Sequence, residues 1–191
     1  MLIYSESSFE GSFGSSCCFT GYRPSKFPFS VEKGSAGLEK LENSIIETVF
    51  ALYADGCTTF YSGMAMGFDI IAAEAVLLLK ERHEDVCLVC AVPFKEQGAG
   101  FPEPWQSRYA EIIKRADKAV IMSDKYYKGC YHRRNKFLVD NSDYVVTWYD
   151  GQPGGTAWTV KYAQNKGRYV LNLNDGYYIT NESLRDIAYC G

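Results

Sequence analysis

Histidine is scarce in this chain, with two in 191 residues, and neither sign of charge is in large excess. Lys plus Arg number 20 against 23 for Asp plus Glu, a net charge of −3. Two histidines, His83 and His132, are too few for a His-rich metal site, and no metal is expected. Without a basic excess the chain lacks the field that draws in polyanions by counterion release, so nucleic acid is not the expected partner. Long apolar runs are also missing. The most apolar stretch, Ile70 to Leu79, is interrupted by Glu74, so no membrane span is expected. Met1 to Gly14 lacks a basic segment followed by an apolar run, and a soluble cytoplasmic chain is the expectation. Hydrophobic residues at 47% and charged residues at 23% exclude a disordered chain, a collagen-like repeat and a coiled coil.

Cysteine is present, seven times, but irregularly spaced. Cys87 and Cys90 form a C-x-x-C inside the apolar run Val86 to Val92, which reads as a strand. Residues three apart on a strand point to opposite faces, so a shared metal or disulfide is geometrically poor. Buried free thiols are the expectation.

β-rich runs alternate with segments of helical period. Strands are predicted at Cys17–Phe19, Thr58–Tyr61, Val86–Val92, Lys118–Met122, Tyr144–Tyr149 and Tyr169–Leu173. Leu38, Leu41, Ile45, Val49 and Leu52 recur at helical spacing, and this helix should stop near Asp55-Gly56. Further helices are predicted at Phe68–Arg82, Trp105–Arg115, Arg133–Asn141 and Thr156–Asn165. Apolar strands alternating with helices imply a doubly wound, mainly parallel Rossmann-like α/β sheet of roughly five to six strands, with helices on both faces. One domain is expected, its core spanning about residues 17–173. The stretch before Ser16 and the tail from Asp175 carry no functional signal. The loop Pro93 to Pro104, rich in glycine and proline, reads as a lid over the carboxyl edge of the sheet.

In such sheets ligands bind beyond the carboxyl ends of the strands, so the strand-to-helix loops carry the candidates. Thr20-Gly21-Tyr22-Arg23-Pro24 offers a hydroxyl, a tight turn and a phosphate-shaped guanidinium. Ser62-Gly63-Met64-Ala65-Met66-Gly67-Phe68-Asp69 brings bare backbone to a helix start, where amides favour an anion. Asp69 reads either as a helix cap or as a ligand for ribose hydroxyls. Asp150-Gly151-Gln152-Pro153-Gly154-Gly155-Thr156 reads either as a second anion loop or as a turn with a Thr cap. No Lys follows its glycines, which argues against a Walker-type ATPase. Arg133, Arg134 and Asn135 open a helix, where two cations oppose the macrodipole and call for an anionic partner. That partner is a phosphate or a neighbouring carboxylate such as Asp124. The pairs Tyr126-Tyr127 and Tyr177-Tyr178 read as packing or interface residues.

Cys18-Phe-Thr-Gly-Tyr-Arg-Pro24, Ser62-Gly-Met-Ala-Met-Gly-Phe-Asp69 with Ala72-Ala-Glu74, and Tyr149-Asp150-Gly151 leading to Gly154-Gly-Thr156 together resemble the YpsA-like branch of the SLOG superfamily. Ala91-Val-Pro-Phe94, Trp105, Arg134-Asn135 and Val139-Asp140 follow in the same order. The resemblance covers about Cys17 to Leu173. It implies a Rossmann-like fold, kinship to DprA and to LOG-type phosphoribohydrolases, and binding of a nucleotide or an NAD- or ADP-ribose-like derivative. Homodimerisation is a further implication. LOG-type enzymes carry a glutamate after their Gly-Gly-x-Gly-Thr loop. Here Gly154-Gly-Thr-Ala-Trp-Thr159 has no acid before Asn165, so hydrolysis of an N-glycosidic bond would fall to Asp69 or Glu74.

The leading expectation is therefore a small phosphate-bearing ligand held by Thr20, Gly21, Arg23, Ser62, Gly63, Met64, Gly67, Asp69, Arg133, Arg134, Asn135, Gly151, Gly154, Gly155 and Thr156. Tyr22, Phe68 or Tyr131 would stack on its base. A nucleotide N-glycosidase and a single-stranded DNA-binding surface are the alternatives.

Overall fold

The computed structural model describes residues 1–11 and 15–175. Seven strands form one parallel sheet: β1 (Leu2–Ser5), β2 (Ser15–Gly21), β3 (Cys57–Ser62), β4 (Cys87–Val92), β5 (Lys118–Ile121), β6 (Tyr144–Trp148) and β7 (Tyr169–Asn172). Their spatial order is β1-β5-β4-β3-β2-β6-β7. Five helices connect them: α1 (Ala36–Ala54), α2 (Phe68–Lys80), α3 (Trp105–Arg115), α4 (Cys130–Asp140) and α5 (Gly155–Asn165).

Strand alternation divides the core into two layers. Cys17, Phe19, Phe60, Leu88 and Cys90 face α1, α2 and α3, while Cys18, Tyr61, Val89 and Ala91 face α4 and α5. Cys87 packs on the second layer and Cys90 in the first, so the C-x-x-C straddles the sheet. Burial pushes the Cys18 thiol up to about 12, the behaviour of a packing residue. Helix α1 begins as its apolar spacing requires, with the Ser35 hydroxyl accepting from Leu38 N–H at 3.3 Å, and it ends at Gly56, where φ is +91°. None of the helices in the described residues is long and apolar enough to cross a membrane.

The first strand, β1, is the unanticipated one. Leu2–Ser5 pairs in parallel with β5 at the sheet edge, although its side chains are mostly exposed and show no amphipathic alternation. Backbone pairing, invisible to a hydrophobic pattern, holds it there. In the loop 93–104, Pro93, Gln97 and Gly98 are buried and the other residues are exposed or half-buried: Gln97 donates through Nε2 to Met64 O at 2.6 Å, and Gly98 lies against the Tyr109 ring. Tyr177-Tyr178 fall outside the described residues.

From β2 the chain steps outward through β3, β4 and β5 on one side, then returns through α4 to place β6 on the other side of β2. The direction of winding reverses between β2 and β6. Connections diverge there, which opens a crevice at the carboxyl ends of those two strands.

Candidate functional site

A cleft of about 250 Å³ occupies this crevice. Thr20 and Gly21 come from the end of β2, Arg23 and Lys26 from the segment that follows, and Gly155 and Thr156 from the first turn of α5. Arg134, Asn135 and Tyr131 enter from α4, and Asp69 from α2. Among the described residues no side chain caps the N-terminus of α5, whose first residues, Gly155 and Thr156, line the cleft. The Thr156 hydroxyl is not free for a ligand, because it donates to Gly21 O at 3.0 Å and staples α5 to the end of β2. Among the described residues Arg23 and Lys26 form no ion pair. Arg23 lies over the Tyr131 ring at 5.7 Å and Lys26 over the Tyr22 ring at 5.6 Å.

Tight backbone packing builds this edge. A Cβ at Gly21 would stand 2.5 Å from the Cβ of the fully buried Phe68. At Gly67, where φ is +93°, a side chain would run into the Tyr22 carbonyl and come within 3.1 Å of Arg23 Cα. Phe68 N–H donates to Tyr22 O at 3.1 Å, closing the contact between the two loops. The glycines after β2 and before α2 thus let one loop lie directly on the other.

Behind the cleft, Arg134 and Asp69 form a buried ion pair at 3.3 Å, with residue exposures of 5% and 4%. Arg134 Nη1 also donates to the Gly63 carbonyl. Its Nε is buried with no acceptor among the described residues. Burial raises the Asp69 carboxyl and lowers the Arg134 guanidinium, and the attraction between them opposes both shifts. Asp69 sits inside the first turn of α2 rather than at its cap, and its Oδ2 accepts from Ala65 N–H at 3.4 Å. Asn135 donates to Thr159 Oγ1 at 2.8 Å. The Tyr22 hydroxyl donates to Asp150, which holds that carboxylate below its ordinary range.

The structure therefore gathers Thr20, Gly21, Arg23, Asp69, Arg134, Asn135, Gly155 and Thr156 on the cleft and leaves other candidates outside it. Ser62, Gly63, Met64 and Gly67 are not among the residues lining the cleft, and the carbonyls of Gly63 and Met64 instead seat Arg134 and Gln97. Ser62 Oγ donates to Asp69 O at 2.9 Å and accepts from Met64 N–H at 3.2 Å, and the Gly63 and Met64 carbonyls are taken by Arg134 and Gln97. Those polar groups are consumed by the protein itself. Arg133 points the other way and pairs with Glu6 at 2.6 Å. Asp124 partners neither arginine; it pairs with Lys95 at 2.5 Å. Gly151 and Gly154 lie in the loop but not among the cleft-lining residues. Glu74 faces a separate groove, where Arg108 binds it through two bonds of 2.7 and 2.5 Å. Phe68 is fully buried beneath Gly21 and cannot stack on a ligand, and the Tyr22 ring is enclosed by Phe27, Trp148 and Tyr149. Tyr22 and Tyr131 both line the cleft, and of the two only Tyr131 is partly exposed. Lys26 is the residue that sequence reasoning missed. Its signal in the sequence is a second cation three residues after Arg23, just beyond the Thr20–Pro24 motif.

Comparison with known proteins agrees with this architecture. Two relatives, UPF0398 proteins of Bacillus thuringiensis (strain Al Hakam) and Bacillus cereus (strain AH187), are each 27% identical over 172 residues, covering 88% of this chain and 91% of theirs. Among solved structures, DprA of Streptococcus pneumoniae superposes with a TM-score of 0.53 at 16% identity, over 82% of this chain and 49% of that one. The chain thus spans about half the length of that DprA. DprA of Helicobacter pylori, solved for its single-stranded DNA binding mode, gives a TM-score of 0.54 at 19% identity, over 82% of this chain and 63% of that one. TM1055 gives 0.51 at 20% identity, over 88% and 87%. At these identities the likeness is one of fold. The sequence pattern described as the YspA SLOG family matches residues 17–177, nearly the whole sheet and every loop of the cleft, and the chain belongs to that YpsA family.

Proposed function

We propose that the cleft binds a phosphate-bearing nucleotide or nucleotide derivative, of the mononucleotide, NAD or ADP-ribose type, and serves a regulatory or sensory role. One observation carries the reading. The uncapped first turn of α5 and two cations free of ion pairs, Arg23 and Lys26, converge at the crossover point of the sheet. Amide dipoles and a guanidinium fork suit a phosphate, and a helix start adds the favourable end of its dipole. Arg134 contributes less charge than its position suggests, because Asp69 already compensates it. Asp69 would meet ligand hydroxyls, and Tyr131 offers a face for a base.

Titration calorimetry with ADP-ribose and nucleoside monophosphates tests this. Arg23→Ala and Lys26→Ala should each weaken binding about tenfold, the loss of one charge-assisted contact. Gly155→Asp should abolish it by placing a carboxylate at the helix start. If none of these compounds binds at millimolar concentration, the reading fails. Hydrolysis is the second reading and rests on Asp69, the one carboxylate lining the cleft among the described residues. Release of free base that Asp69→Asn abolishes would support it.

A further inference from the structure

We propose that a second groove, on the α1–α3 side of the sheet, is the docking site for a basic amphipathic segment of a partner protein. The groove measures about 1010 Å³ and runs between the N-terminal half of α1, α2, the start of α3 and the segment following β2. Its lining is predominantly apolar, with Val31, Leu38, Pro102 and Trp105 on its walls. An apolar trough of this size suits the side chains of a peptide segment pressed into it.

Charge selects the occupant. Five glutamates face the groove against one lysine and one arginine. That arginine, Arg108, is already engaged: it is held bidentately by Glu74 and lies over the Trp105 ring at 4.4 Å. Glu39 and Glu42 have no ion pair among the described residues. Glu42 is half-buried, and burial is the principal cause that raises its carboxyl; Arg108, already bound to Glu74, opposes the rise, while Glu74 and Glu39 add to it. An apolar trough with unanswered carboxylates on its rim is complementary to aliphatic side chains interleaved with Lys or Arg. It repels a phosphate ligand, so the groove and the cleft select opposite charges. They share a wall. Arg23 and Lys26 face the cleft, while Pro24 and Val31, on the same segment, face the groove.

The test uses fluorescence anisotropy with a labelled peptide of alternating leucine and lysine, and an alternating leucine–glutamate peptide as control, near physiological ionic strength. Wild-type protein should bind the leucine–lysine peptide saturably and the control not at all. Glu39→Lys combined with Glu42→Lys should weaken binding at least about tenfold. Glu47→Lys combined with Glu84→Lys changes net charge equally on exposed positions outside the groove and should weaken it less than about twofold. Glu42→Gln, a milder change, should weaken binding measurably with an unaltered circular dichroism spectrum. Absence of saturable binding, equal weakening by both charge-reversed variants, or comparable binding of the leucine–glutamate peptide would each overturn the proposal. So would light scattering showing a wild-type dimer that the Glu39→Lys/Glu42→Lys variant dissolves, since a second copy would then own the groove.

Discussion

Replacing Arg134 by methionine keeps the length and apolar stem of the side chain and removes its charge. Asp69 would then sit at 4% exposure with its nearest cation gone, and the Gly63 carbonyl would lose its guanidinium donor. Breaking a buried pair by deleting one partner costs about 3–5 kcal/mol, because an uncompensated charge remains in a poorly polarisable interior. Set against a total stability of about 5–15 kcal/mol, that is a large fraction. The variant also has a pH signature. Burial already raises Asp69 above its ordinary value of 3.8 in the native protein, and loss of Arg134 removes the principal influence that lowers it. A folded-state carboxyl raised above its unfolded value contributes stability that is complete below the unfolded value and is lost as pH rises through the folded one. Arg134→Met should therefore be least impaired at and below about pH 4 and progressively weaker as pH rises from there, as the neutral acid is forced to ionise. Urea unfolding followed by tryptophan fluorescence at several pH values measures this. Asp69→Asn in the same background should recover much of the loss and flatten the pH dependence. A loss under about 1 kcal/mol, or one that does not vary with pH, would refute the picture of a buried, mutually compensating pair.

Gly21→Ala places a methyl against the buried Phe68 and must push back the start of α2, a destabilisation of about 1–3 kcal/mol in urea. Gly155→Ala meets nothing within 4 Å and should unfold within about 0.5 kcal/mol of wild type, so the two glycines separate packing from site. Tyr22→Phe removes the donor that lowers Asp150. That contribution to stability is present above the ordinary value of 3.8 and is lost as pH falls through the lowered one, so the variant should differ from wild type near neutrality and converge with it in acid. Glu74→Gln should leave ligand binding in the cleft unchanged, because Glu74 is held by Arg108 in the other groove; a loss of cleft binding would contradict that separation.

The strand-helix alternation and both faces of the sheet were readable along the chain, since apolar runs and helical spacing report burial directly. So were the loops that matter, because a parallel sheet always delivers its strand-to-helix turns to one edge. Local sequence could not say which polar groups on those loops remain available. Ser62 to Ala65 look like an anion loop until the fold gives the Met64 N–H to Ser62 Oγ and the Ala65 N–H to the Asp69 carboxylate, while Arg134 and Gln97, distant in the chain, take the Gly63 and Met64 carbonyls. Likewise Arg133 and Arg134 are adjacent in sequence yet separated by the helical turn, one reaching Glu6 at the surface and the other Asp69 in the interior. Backbone conformation and burial periodicity are short-range properties that neighbouring residues impose on each other. Partner choice among charges is long-range, decided by how the layers stack. Residue order therefore determined the sheet, its carboxyl edge and the family, while only the folded chain decided that the cation set is Arg23 and Lys26, with Arg134 withdrawn into an internal salt bridge.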